Sequence, residues 1–234
     1  MPGGAWSEMR LSVINPNSTE AMTRAIGEAA SAASGPGTRV RAVNPWESPP
    51  AIQGAEDGEA ALPGLFRVFD EEVAAGAEAA VIACFDDTGL WELRAKARIP
   101  VIGIGEAAYT AAMLAGTRFS VVTTLAVSIP VLEENIARYG FAGRCARVRA
   151  SGVPVLELEA DPEGSAERVA AEIGRAAAED GIDAVVLGCA GMADLATRMA
   201  ARFGLPVIEG VSAAVRLAET LHDLPGMRLG ARAG

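Results

Sequence analysis

Two cysteines occupy matching places in the two halves of this 234-residue chain. Cys84 follows the run Ala80-Val81-Ile82-Ala83, and Cys189 follows Ala184-Val185-Val186-Leu187-Gly188. Each ends an apolar, strand-like stretch and precedes a glycine-bearing turn. A side chain there points into the crevice beyond the strand ends, where open α/β sheets bind ligands. Two thiols facing one another across a crevice make a two-base site. Such a site suits proton transfer, one thiol accepting a proton and the other donating one. The bland alternative is a pair of core cysteines, since free cysteine is among the most buried residue types. The neighbours argue against it. Asp86, Asp87, Thr88 and Gly89 crowd polar, turn-forming groups beside the first thiol. Gly188, Ala190 and Gly191 let a ligand approach the second. A helix starting just after Cys189 adds free N–H groups and positive potential, which lower a thiol pKa from about 8.5. Cys145 has no counterpart in the other half and is read as structural.

The surrounding sequence repeats as well. Ile99-Pro100-Val101-Ile102 recurs as Leu205-Pro206-Val207-Ile208, and Ser12-Val13-Ile14-Asn15 echoes Ser120-Val121-Val122-Thr123. Landmarks in one order at nearly one spacing imply two similar α/β lobes. Strands are expected at Met9–Ile14, Thr38–Val43, Ala79–Ala83, Val101–Ile104, Phe119–Thr123, Val148–Ser151, Ala184–Leu187 and Val207–Ile208. Helices are expected at Ser18–Ala33, Leu65–Ala75, Glu106–Ala115, Ser128–Tyr139, Glu163–Glu179, Ala193–Arg202 and Val211–His222. This alternation predicts parallel sheets covered by helices, an α/β fold with two pseudo-symmetric Rossmann-like lobes and the site in the cleft between them. Residues 9–104 with 212–229 form the first lobe and 105–211 the second. Residues 1–8 and 230–234 read as disordered tails. Asn44 to Glu59 bears Pro and Gly and is long for a connection, so it reads equally as a binding loop or as plain surface.

Asn15-Pro16-Asn17-Ser18-Thr19 ends the first strand. Ser18 or Asn17 should cap the helix that follows, and the amides and hydroxyls can also hold a polar ligand. Thr123 and Thr124 end the matching strand of the second half.

Other chemistries lack their residues. The single histidine, His222, lies near the C-terminus, which leaves no Cys-His hydrolase pair and no metal cluster of the usual spacing. The single lysine, Lys96, lies in the charged stretch Arg94-Ala95-Lys96-Ala97-Arg98, unlike a Schiff-base lysine for pyridoxal phosphate. No glycine-rich nucleotide loop follows a strand. A net charge of −10 opposes nucleic acid. No apolar run approaches the length of a membrane span, and Met1 to Glu8 do not read as a signal peptide. Three cysteines without a secretory signal make a reduced, cytoplasmic setting the default.

Ile14-Asn15-Pro16-Asn17-Ser18, Ile82-Ala83-Cys84-Phe85-Asp86-Asp87-Thr88-Gly89-Leu90 and Leu187-Gly188-Cys189-Ala190-Gly191-Met192 together resemble the hydantoin and allantoin racemase branch of the aspartate/glutamate racemase superfamily. Pro49-Pro50-Ala51-Ile52-Gln53-Gly54 is similar to the substrate-side loop of that branch. The stretch through Cys84 looks closest to hydantoin racemases, and the likeness runs from about Met9 to His222. It implies a cofactor-independent homo-oligomeric racemase with Cys84 and Cys189 as the acid/base pair. The substrate would be a small hydantoin-type ring, inverted at C5, with allantoin as the alternative. The backbone N–H groups of Phe85, Asp86, Ala190 and Gly191 would then face the enolate-like intermediate. Asn15, Asn17, Ser18, Thr123 and Thr124 would hold the ring, and Ile52 or Phe85 would wall the 5-substituent. A decarboxylase like arylmalonate decarboxylase, in which only the second cysteine is expected, is disfavoured by Cys84. A maleate isomerase would call for cations near its dicarboxylate substrate, and the motifs hold none. A non-catalytic two-lobed binding protein gives no reason for two matched thiols.

Overall fold

The computed structural model describes residues 8–224. The expectations for tails at 1–7 and 230–234, and for the end of the first lobe at 229, lie outside the described residues. The first sheet contains β1 (Met9–Ile14), β2 (Thr38–Val43), β3 (Ala79–Ile82) and β4 (Val101–Gly103). The second contains β5 (Phe119–Thr123), β6 (Cys145–Ala150), β7 (Ala184–Gly188) and β8 (Val207–Glu209). Their orders are β2-β1-β3-β4 and β6-β5-β7-β8, and every pairing is parallel. The helices are α1 (Glu20–Ala33), α2 (Ala55–Ala74), α3 (Leu90–Lys96), α4 (Ile104–Ala115), α5 (Ile129–Arg138), α6 (Glu157–Ala160), α7 (Pro162–Glu179), α8 (Leu195–Phe203) and α9 (Gly210–Asp223).

The sequence explains which strands lie inside. β3, β5 and β7 are buried at every position; β3 and β7 read as unbroken apolar runs, and β5 as Phe and Val interrupted by the buried Ser120 and closed by Thr123. That is the pattern of a parallel strand covered on both faces. The edge strands β2 and β6 carry arginines, Arg39 and Arg41 in one and Arg147 and Arg149 in the other. Charges on an edge discourage pairing with a further chain. One buried cluster runs through both sheets, from Leu11 and Val81 to Val121 and Val186. Within it, α4 and α9 contribute Ala107, Ala108, Tyr109, Val211 and Val215. Each valine so buried contributes about 1.5–3 kcal/mol.

Several boundaries differ from the sequence expectation. Helix α2 begins at Ala55 rather than Leu65 and contains Pro63. Proline removes one N–H, and the carbonyl it would have met, on Glu59, belongs to an exposed residue that water can satisfy. Asp57 Oδ2 accepts the N–H of Gln53 at 3.0 Å, closing the start of the helix. Strand β6 begins at Cys145, three residues before the expected start. Helices α3 and α6 are shorter than the periodicity of a sequence window resolves.

The turn before α1 departs from the expected capping. Thr19 holds the cap position without a side-chain cap bond. Asn17 Oδ1 accepts from Thr19 N and from Asn15 Nδ2, both at 2.9 Å. No helix among the described residues is long and apolar enough to cross a membrane.

Candidate active site

In each sheet the strand order reverses between the two central strands, β1 and β3 or β5 and β7. Those are the switch points at which open α/β sheets bind ligands. Asn15 follows β1, Cys84 lies just beyond β3, Thr123 ends β5 and Cys189 follows β7. The four strand ends converge on one small cavity. Asn15, Asn17, Cys84, Phe85 and Asp86 line it from the first sheet. Thr123, Thr124, Ser128, Gly188, Cys189 and Ala190 line it from the second. Met22, Ile52, Ala83 and Val155 supply the apolar walls.

The two thiols sit in equivalent turns. Asp87 N donates to Cys84 O at 3.0 Å, and Met192 N donates to Cys189 O at 3.1 Å. The N–H two residues on, from Asp86 or Gly191, faces the sulfur and favours its thiolate. Thr88 Oγ1 adds a contact to Cys84 Sγ at 3.4 Å. The expected lowering of the thiol pKa is nevertheless reversed. Burial raises Cys189 to about 11 and Cys84 further, and the nearby Asp86 charge adds to both. Desolvation of the thiolate outweighs the single N–H each sulfur receives. The two sulfurs are close enough for the charge of Cys189 to raise Cys84.

This electrostatic setting has a measurable consequence. Below its pKa a thiol gains about tenfold in thiolate for each pH unit. Alkylation of Cys189, mapped by mass, should therefore accelerate about tenfold per pH unit between pH 7 and pH 10. A rate already level by pH 8 would contradict the burial effect.

The Cys84 turn is held from several elements. Asp87, at φ 50°, accepts from Gly105 N at 2.9 Å, Glu106 N at 2.8 Å and Tyr139 Oη at 2.8 Å. Gly105 allows this approach, because a Cβ there would lie 2.8 Å from Asp87 Oδ2. Asn135 Nδ2 donates to the Asp86 carbonyl at 2.7 Å. Burial moves the Asp87 carboxyl up to about 7 against the three donors. Asp87 is thus a positioning residue. In the sequence it reads only as one of several turn formers.

The remaining expectations divide. Ile52 lines the cavity, and its loop bridges to the second sheet, where Gln53 Oε1 accepts from Val155 N at 3.1 Å. Phe85 lines the cavity while its ring packs edge-on against Tyr109 at 5.5 Å. Asn15 spends its amide on Asn17 and Thr23, each at 2.9 Å, so it braces the turn more than it offers donors. Thr123 gives its hydroxyl proton to Gly188 O at 2.9 Å. Ser18 and Gly191 do not line the cavity. Ser18 N is tied to Pro49 O at 3.0 Å, and the Gly191 N–H serves its cysteine. The N–H of Asp86 is likewise turned to sulfur rather than to a ligand oxygen.

Met22, Ser128 and Val155 went unnoticed in the sequence. Ser128 reads only as the first residue of an expected helix; it makes no cap bond and lines the cavity. Cys145 starts β6 and does not line the cavity. A second cavity, at the opposite ends of β1 and β2, is lined by Arg10, Arg39, Arg41 and Glu72 and holds no thiol. Among the described residues no group of three or more His, Cys, Asp or Glu side chains is placed to hold a metal ion.

The profile of the Asp/Glu/hydantoin racemase family matches residues 11–218. The chain belongs to that family. It is 46% identical over 213 residues to a hydantoin racemase of Rhizobium meliloti, covering 91% of this chain and 88% of that one. The structure superposes on an allantoin racemase from Klebsiella pneumoniae with a TM-score of 0.89 and 44% identity, over 91% of this chain and 87% of that one. An allantoin racemase from Pseudomonas fluorescens gives a TM-score of 0.86 at 35% identity, over 97% and 98% of the two chains. Identities of 46% and 44% do not separate the two names.

Proposed function

We propose that this protein is a cofactor-independent racemase of 5-monosubstituted hydantoins, with Cys84 and Cys189 as its two acid/base groups. The observation that carries this reading is the pair of thiols at equivalent strand ends of two sheets, lining one cavity. Membership of a racemase family and the likeness to hydantoin and allantoin racemases support it. Allantoin racemisation is the second reading, favoured by the superposition on two allantoin racemases; allantoin is itself a hydantoin, and the chemistry at C5 is the same.

One sulfur enters as thiolate and takes the C5 proton from its face of the ring. The other, as thiol, delivers its proton to the opposite face. The roles exchange with the other enantiomer, so the pair titrates as a unit. A buried thiolate is a strong base because the pocket solvates it poorly, and a bound ring that excludes water keeps it so. Negative charge moves onto the C4 oxygen in the intermediate. The N–H groups of Phe85 and Ala190, which make no hydrogen bond among the described residues, are the donors left for it. Thr124 and Ser128 hold the urea edge, and Met22, Ile52 and Val155 face the 5-substituent. Among the described residues no arginine or lysine lines the cavity, which disfavours a dicarboxylate substrate such as maleate. We further propose a cytoplasmic homo-oligomer, with residues 9–104 joined by the C-terminal helix as one lobe and 105–211 as the other.

The test is solvent exchange. In D₂O, enantiopure 5-alkyl hydantoin or allantoin should lose optical rotation and gain one deuterium at C5, well above the rate without protein. The activity should survive dialysis against a chelator. Activity restored only by an added metal, or no exchange with either compound, would refute the proposal.

A further inference from the structure

Among the described residues Asp86 is the one acidic side chain lining the cavity, and proton transfer between the thiols makes no use of it. Its main chain is fixed by Asn135 on the carbonyl side and directed at Cys84 on the N–H side. Its Oδ2 is buried without a hydrogen-bond partner. A buried polar atom left unpaired is costly, and more so when it is charged. Its charge also raises both thiols, which opposes formation of the thiolate that starts the reaction. A carboxylate facing the ring itself would repel the enolate in the same way. Burial moves this carboxyl up to about 7, so the ionised form remains accessible near neutral pH. The N–H of Gly54, at the start of α2, favours that form. Gly54 stands at φ 96°, and a Cβ there would lie 3.1 Å from Val127 Cγ2 across the cleft. The loop that carries Ile52 is thereby seated against both the second sheet's helices and Asp86.

We infer that Asp86 is a specificity residue whose free carboxylate oxygen accepts a hydrogen bond from an N–H group on the 5-substituent. The site then selects hydantoins bearing a ureido or amide side chain over those bearing an alkyl chain of equal length. The substituent is the part of the ligand that offers a donor beside C5 without carrying enolate charge. The inference rests on the racemase reading above.

The experiment compares kcat/KM for allantoin, whose substituent is ureido, and 5-propylhydantoin, which has similar length and no donor there. The wild-type protein should prefer allantoin. In Asp86→Ala the ratio of the two values should fall tenfold or more, the scale of a hydrogen bond to a charged group. Asp86→Asn keeps the shape and a neutral acceptor, so its ratio should lie between those of the wild type and the alanine variant. A wild-type preference for 5-propylhydantoin, or a ratio that falls less than tenfold in Asp86→Ala, overturns the inference. Equal losses on both compounds would place Asp86 on the shared ring or in the scaffold. If the alanine variant does not fold, the wild-type preference and the asparagine ratio decide. A wild-type protein that exchanges C5 deuterium into neither compound refutes the racemase reading itself, a result distinct from a failed preference.

Discussion

Cys84→Ser and Cys189→Ser should each lower racemisation by about 10³-fold or more, within the span general acid–base groups contribute. A serine hydroxyl is far too weak an acid to form the base or to return the proton near neutral pH. Each variant nevertheless keeps one thiol on one face of the ring. That thiol meets the C5 proton of one enantiomer only. Deuterium exchange without inversion is therefore expected in one enantiomer for Cys84→Ser and in the other for Cys189→Ser. The equivalent turns around the two sulfurs demand this opposition. The residual exchange should be less equal than the symmetry suggests, because Cys84 is pushed up further than Cys189 and alone contacts a threonine hydroxyl. Chiral separation of the recovered hydantoin, with mass analysis of each enantiomer, reads both effects. Full racemisation by either variant, or exchange into the same enantiomer by both, would remove the two-base mechanism.

The strand ends were legible in the sequence because β3 and β7 are unbroken apolar runs that cannot be read as surface, and β5 repeats the Ser-Val pattern of β1. The cysteines followed from them, since a thiol just beyond such a run has few places to go. The polar contacts were less legible. Asn15 and Thr123 are of ligand-binding type, but they bond the turn and the neighbouring strand, and Ser18 does not line the cavity. Only coordinates reveal that, because a donor's partner lies up to 65 residues away, as with Thr123 and Gly188. The same limit hid Ser128 at the start of an expected helix and Asp87 behind a turn signal. The thiol pKa direction was missed for a related reason. A helix start is visible in sequence, whereas the depth of the cavity that desolvates the sulfur is not.

Arg149→Met should destabilise the protein by about 3 kcal/mol, while Arg41→Met should cost less than about 1 kcal/mol. The two arginines stand on the edge strands of the two sheets and meet acids on the covering helices, yet their burial differs. Arg149 has a side chain 7% exposed and bonds Asp180 at 2.6 and 2.7 Å, Glu172 at 3.0 Å and Glu179 at 2.7 Å. Ser120 Oγ joins Asp180 at 2.8 Å. In the first sheet, Ser12 Oγ joins Glu72 at 3.1 Å and Arg41 meets Glu72 at 3.1 Å, but Arg41 is 70% exposed. Removing Arg149 leaves the buried Asp180 without its main partner, and the more distant Arg147, 3.8 Å away, replaces little of it, whereas Glu172 keeps its ion pair with Arg175. The pH dependence separates charge from packing. The bonds to Arg149 hold the Asp180 carboxyl below its usual value. Its contribution is therefore fully present above an unfolded pKa of about 3.9 and lost as pH falls through the lower folded value. Urea unfolding should thus find the gap between wild type and Arg149→Met large at pH 7 and smaller below pH 3. A gap that stays constant with pH would assign the loss to packing of the arginine stem instead.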